Sequence, residues 1–223
     1  MEKRRSNRFV RLLAFVWLLG STTAAEAHPH IFVDTRAEVV FNAVGQVISL
    51  KNIWRFDDAF SAYAKQGLEH QRNGKLTDKS LEALARVNIH SLAPFHYFTF
   101  VHVDGKRVPL GEGSDQKLED DGEKLTLTFI VTPPTPLDPK LGPLTFDIYD
   151  PEYFAAVGFV KDKPVKLIDG PKGCHAQIFT PSGLTPAAAA AIARVPASQR
   201  TLPPELQTLT GGIQNGLVID CSL

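Results

Sequence analysis

The chain has 223 residues, of which 43% are apolar, with 24 Lys and Arg balanced by 24 Asp and Glu. That length suits one domain with a sizeable core. Setting aside the first 27 residues, which carry five basic and two acidic side chains, leaves a net charge of −3, whereas nucleic-acid binding needs a basic surplus gathered on one face.

The first segment reads as a secretory signal. Lys3, Arg4, Arg5, Arg8 and Arg11 precede the apolar run 12–20, and small residues follow up to Ala27. The run is shorter than the roughly 20 residues a spanning helix needs, and Ala25-Glu26-Ala27 offers a small-x-small cleavage site. The sequence therefore predicts a signal peptide over 1–27, a periplasmic mature chain starting at His28, and no membrane insertion of that chain.

From His30 to Phe41 the residues alternate and are rich in β-branched and aromatic types, then Asn42-Ala-Val-Gly45 punctuates them before 46–56. This predicts a β-hairpin. Helical spacing of Phe60, Tyr63, Ala64 and Leu68 predicts a helix over Asp58 to His70, with Asp57 as its cap. Thr77 is placed to cap a second helix bearing Leu81, Leu84, Ala85 and Ile89. The linking segment 69–80 has the outline of a calcium loop, but Gln71, Asn73 and Ser80 replace its carboxylates, so it reads as a turn about Gly74.

Strands are expected again at 97–103, 107–110 and 124–132, joined by Asp-Gly turns, with short ones at 144–149, 157–160 and 175–179. On the first of these His96, Phe98, Phe100 and His102 would share a face, placing the two histidines about 20 Å apart, too far to serve one ion. An alanine-rich helix is expected at 186–194, followed by Pro, Thr and Gly-rich chain. The fold class is α+β, an antiparallel sheet built from hairpins with a two-helix insert and a short C-terminal helical tail. The expected organisation is a periplasmic domain over 28–180 and a Pro/Ala-rich tail over 181–223, tied back by Cys221. Cys174 and Cys221 are the only cysteines, and an even count in an oxidising compartment favours a disulfide.

Signals of common enzymes are missing: there is no Gly-x-Ser-x-Gly, no phosphate-cradling glycine loop and no His-Glu-x-x-His, so no enzymatic activity is expected. The acidic pairs Asp57-Asp58 and Asp120-Asp121 read as caps or solvated loops. His28-Pro29-His30 is the informative feature, because cleavage after Ala27 would set two imidazoles and a free amine within three residues. Neutral imidazole is a common ligand for zinc, nickel and copper. Pro29 lacks the N–H that a square-planar site made of backbone amides needs, which leaves a chelate from the His28 amine and ring, completed by His30. Asp34, two positions beyond Phe32 on the strand, and Asp57, at the same end of the hairpin as His30, are the candidate supporting carboxylates.

The segments 27–34 (Ala-His-Pro-His-Ile-Phe-Val-Asp), 53–60 (Ile-Trp-Arg-Phe-Asp-Asp-Ala-Phe) and Tyr97-Phe-Thr99 before Asp104-Gly105 resemble, in that order, a family of uncharacterised exported bacterial proteins. That family is described as the periplasmic component of an ABC-type transport system and is often associated with nickel/cobalt permeases. The similarity runs from Ala27 to about Phe179. It implies a periplasmic accessory protein that handles a divalent transition metal (nickel, cobalt or zinc) beside an inner-membrane metal permease. The competing readings are a copper histidine-brace oxidoreductase, which needs the His28 amine, and a periplasmic interaction module with no ligand.

Overall fold

The computed structural model describes residues 29–180, 182–196, 199 and 201–221. The expected signal and His28 lie outside the described residues.

The first hairpin forms as its alternation predicts: β1 (Ile31–Phe41) pairs antiparallel with β2 (Val47–Phe56), from Val33 opposite Phe56 to Phe41 opposite Val47. Asn42 organises the turn by accepting from the amides of Val44 and Gln46 at 3.1 and 2.9 Å. One face of the pair, carrying Val33, Ala37, Val39, Leu50, Trp54 and Phe56, is buried.

Helix α1 (Asp58–Ala64) is capped by Asp57 but stops well short of the expected His70. Lys65, directly after it, spends its ammonium on Asp120 and on the carbonyls of Gly122 and Glu123, at 3.1, 3.3 and 3.1 Å, and Gly67 then takes φ +74°, a left-handed conformation that ends helices. Helix α2 (Asp78–Leu92) starts where Thr77 accepts from the Ser80 amide at 3.1 Å. Between the helices the backbone reverses about Gly74 at φ +82°, with Asn73 accepting from the Lys75 amide, a turn as the sequence indicates.

A 3-10 segment (Ala93–Phe98) leads into β3 (Thr99–Val103) and β4 (Lys106–Val108). Asp104 and Gly105 between them both have positive φ, the requirement of a tight I′ turn matching strand twist. Next come β5 (Ser114–Asp120) and β6 (Leu125–Val131), then β7 (Leu144–Ile148), β8 (Ala155–Phe159), β9 (Val165–Ile168) and β10 (His175–Phe179). Helices α3 (Pro186–Ile192) and α4 (Pro204–Gln207) form the C-terminal helical segment, and β11 (Asn215–Asp220) follows.

The strands make two sheets. One runs β5-β6-β2-β1-β8, with β9 also on β1; the other runs β10-β11-β7-β3-β4. Their inward residues belong to one hydrophobic cluster, which includes Trp54, Leu127 and Phe129 from the first sheet and Val101, Phe146 and Leu217 from the second. The α+β hairpin architecture is therefore the one expected, with two features beyond it. β8 and β9 pair parallel to β1, in tandem along its length. The chain end beyond the helical segment is itself a strand, held between β7 and β10, and the cystine Cys174–Cys221 closes that ladder one position beyond His175 opposite Asp220.

The acidic pair at the β5–β6 turn is structural. Asp121 accepts from the amides of Lys124 and Glu123 at 2.8 and 3.0 Å and from the Arg55 guanidinium at 2.5 Å. The Lys124 amide first, then Arg55, lower its carboxyl to about 2. A depressed carboxyl stabilises the fold above its unfolded pKa of 3.8, and that contribution is lost as pH falls through 3.8 toward 2. Asp121→Asn is thus expected to melt below wild type at pH 5, and the gap should close by about pH 2. Thermal melts of both proteins across that range check it; a pH-independent gap would refute the assignment.

Candidate functional site

At the open end of the first hairpin, the sheet face, α1 and α2 enclose an open cavity of about 610 Å³. Such a volume suits a small organic molecule. Its walls are mostly aromatic: Trp54 and Phe56 from β2, Phe60 from α1, Phe95 and Phe98 from the 3-10 segment, and Phe154. His30, Asn88 and Ser91 add polar atoms, and among the described residues no Lys, Arg, Asp or Glu lines it.

His30 sits just ahead of β1, where its amide donates to the Phe154 carbonyl at 2.8 Å and its ring lies 4.8 Å from the Phe154 ring. The strand alternation expected to link it with Asp34 does not carry through this junction. His30 lines the cavity together with the inward-facing Val33 and Trp54, whereas Asp34 is exposed and opposite Arg55 in the register.

Asp57 is at the His30 end of the hairpin, and its carboxylate is engaged by backbone. Its Oδ2 accepts from the Phe32 amide at 2.6 Å and its Oδ1 from the Phe60 amide at 2.8 Å; its own amide donates to the Phe32 carbonyl at 3.0 Å. One side chain thus caps α1 and pins the start of β1, which fixes the backbone two residues from His30. Asp57→Ala is expected to cost about 1–2 kcal/mol and to speed hydrogen exchange at the Phe32 and Phe60 amides. Unchanged exchange at both would rule out the clamp.

Trp54 and Phe56 are 2% and 6% exposed, and both also form cavity wall. The Trp54 indole stacks on Phe98 at 5.9 Å and meets Phe129 edge-on at 5.0 Å. Its Nε1–H is buried and has no acceptor among the described residues.

Phe98 reaches Trp54 through an unusual backbone: His96, Tyr97 and Phe98 are consecutive non-glycine residues with φ of 54°, 57° and 49°. Left-handed conformation costs about 1–2 kcal/mol per residue, and such strain concentrates at functional sites. The run also corrects the expectation for the two histidines, because β3 begins only at Thr99 and His96 is not on it. His96 folds back to 5.9 Å from the Phe100 ring, and with His102 it lines a second cavity, of about 500 Å³.

His102 Nδ1 lies 3.2 Å from Asp147 Oδ2 across β3 and β7, which orients the imidazole. Arg107 lies over the Phe100 ring at 4.9 Å. Burial pushes the Asp147 carboxyl above its ordinary range, against the pull of His102; burial and then Asp147 push the Tyr149 phenol up. The sequence pattern did not point to this pair, since Asp147 reads as one polar position in a short alternating strand.

Among the described residues no group of three or more His, Cys, Asp or Glu side chains could hold a metal ion. His28 lies outside them. No helix among the described residues is long and apolar enough to cross a membrane.

A family model described as "Protein of unknown function (DUF1007)" matches residues 13–221. The chain belongs to the DUF1007 family. The match extends past Phe179, where the sequence resemblance ends, and takes in the Pro/Ala-rich segment. The structure gives the physical reason: this DUF1007 chain needs residues 215–220 as an interior strand of its second sheet. No curated protein matches the chain.

Proposed function

We propose that this DUF1007 protein is an exported, periplasmic accessory component of a transition-metal transport system. It binds Ni(II), Co(II) or Zn(II) as cargo, weakly to moderately, through His28 and His30, and passes the ion to or from an inner-membrane permease. The observation that carries this reading is the seat of His30: half-buried at the mouth of an open cavity, held to Phe154 on one side and next to the Asp57 clamp on the other. Two residues before it stands His28, which supplies a second imidazole and, after cleavage at Ala27, a free amine. A chelate of those donors leaves coordination positions to solvent or to a partner's ligands, the condition for handing an ion on. The Cys174–Cys221 cystine fits an oxidising compartment. In this reading the protein catalyses no reaction of its own.

The test is calorimetric titration of protein verified by mass to begin at His28, with Ni(II), Co(II), Zn(II) and Cu(II) in turn. Saturable one-to-one binding that is lost on His28→Ala/His30→Ala, with the melting profile kept, is the expected result. No heat with any of the four ions from a folded sample would sink the metal role.

A further inference from the structure

We propose that the second cavity, built around Phe100, is a binding site for a small organic monocarboxylate held by the Arg107 guanidinium and the Tyr149 hydroxyl. It uses none of the donors of the metal chelate, so the two sites stand or fall separately.

Strand register brings the polar groups together. Phe100 and His102 flank the core residue Val101 on β3, so both face away from the shared hydrophobic cluster. Arg107 on β4 stands opposite His102, and Asp147 on β7 opposite Phe100. The Phe100 ring is the hub: the Arg107 guanidinium lies over it at 4.9 Å, the Tyr149 ring at 4.9 Å and the His96 ring at 5.9 Å. Beneath them it is 8% exposed. His96 reaches it from a backbone at φ 54°, a conformation whose cost the surrounding structure must offset.

The charges set the ligand's chemistry. Arg107 is exposed and pairs with no carboxylate among the described residues. Stacking on Phe100 occupies the flat face of the guanidinium and leaves its N–H edges outward, the fork that takes both oxygens of a carboxylate. The acids nearby are engaged already. Asp147 holds His102 Nδ1 at 3.2 Å, and Glu152 on the cavity wall accepts from the Leu202 amide at 2.8 Å and from Gln207 Nε2 at 3.4 Å. Their negative charges oppose a dianion, so a single carboxylate is favoured over a phosphate or phosphonate. Burial and then Asp147 keep the proton on the Tyr149 phenol. Gln214 bonds the same phenol in the sense that lowers its pKa, which makes Gln214 the donor and leaves the O–H for a ligand. For the body of the acid, Phe95, at 39% exposure, and Pro94 and Pro151 give apolar contact, and about 500 Å³ admits a ring.

The test is a ligand-observed ¹H NMR titration of metal-free protein, whose outcome does not depend on the chelate. Benzoate and 3-phenylpropanoate are the probes; benzamide is the neutral isostere and phenylphosphonate the doubly charged one. Saturable one-to-one binding of at least one of the two acids is expected, with benzamide and phenylphosphonate at least about tenfold weaker. Arg107→Lys keeps the charge and loses the fork, and should weaken the acid about tenfold; Arg107→Ala should abolish binding. Arg107 is exposed on an edge strand, so both variants are expected to melt with their parent. Neither acid binding to folded protein, benzamide or phenylphosphonate binding as tightly as the acids, or either Arg107 variant binding like its parent would each overturn the proposal.

Discussion

Asn215→Leu is expected to destabilise the protein by about 3 kcal/mol, a drop in melting temperature of roughly 6–12 °C for a chain of this size. Asn215 is 1% exposed at the start of β11. Its Nδ2 donates to the carbonyl of Ile148 and, at 3.0 Å, to that of Val157, and its Oδ1 accepts from the Phe159 amide at 3.2 Å. Ile148 belongs to the second sheet and the other two to the first, so one amide side chain fastens the two sheets together. Leucine keeps the branching at Cγ, with bulkier methyl groups, and satisfies none of the three backbone groups. Asn215→Asp separates shape from hydrogen bonding: the aspartate keeps the shape and the acceptor but loses both donors, and should be at least as damaging as leucine. Denaturant melts of the three proteins decide it; a loss under 1 kcal/mol for both variants would show that the bridge carries little.

Removing the Cys174–Cys221 cystine is the second large effect. Its sulfurs close a loop of 47 residues in sequence separation, and the chain-entropy argument puts the stabilisation at about 4 kcal/mol, reduced by whatever strain the bond imposes. Inside the loop lie α3 and α4, and Ile192 of α3 forms with Val195 and Leu202, between the helices, a buried cluster of its own, small for the chain it must order. Cys174→Ser/Cys221→Ser should therefore lower the unfolding midpoint and expose 182–213 to proteolysis before the rest of the chain. Equal midpoints for the cystine-bearing and double-serine proteins would contradict this account.

Much of the fold was readable where one residue type dictates one conformation. Thr77 caps α2, Asp104-Gly105 makes the β3–β4 turn, and the β1–β2 hairpin follows its alternating apolar face. β5 escaped notice because it is a polar edge strand with a single neighbour, β6; its conformation comes from that pairing and not from its own side chains. β11 was hidden for the opposite reason. Paired on both sides and largely buried, its centre Leu217-Val218-Ile219 is a short continuous apolar run after Pro and Gly-rich chain, which shows no alternation.

The candidate site was legible only in part. Asp57 beside the start of β1 follows from hairpin geometry, but that its carboxylate would be taken by the Phe32 and Phe60 amides does not. Nor does the left-handed run at 96–98, since no glycine marks it; packing against Trp54 and Phe100 holds it. Trp54 is a core residue, yet the cavity beside it is a property of helix placement that no local pattern encodes.

The placement of β1 also sets when this chain can finish folding. The first described strand is an interior one, and Ile31 needs Ala155 while Val39 needs Leu167; the last strand is interior as well, between β7 and β10. Contacts so distant in sequence close slowly. The first sheet is complete only once β9 is available and the second only once β11 is, so a nascent chain emerging N-terminus first holds the open edge of β1 unsatisfied through most of its synthesis. Such a protein stays pliable while it is being made and locks only when its tail arrives.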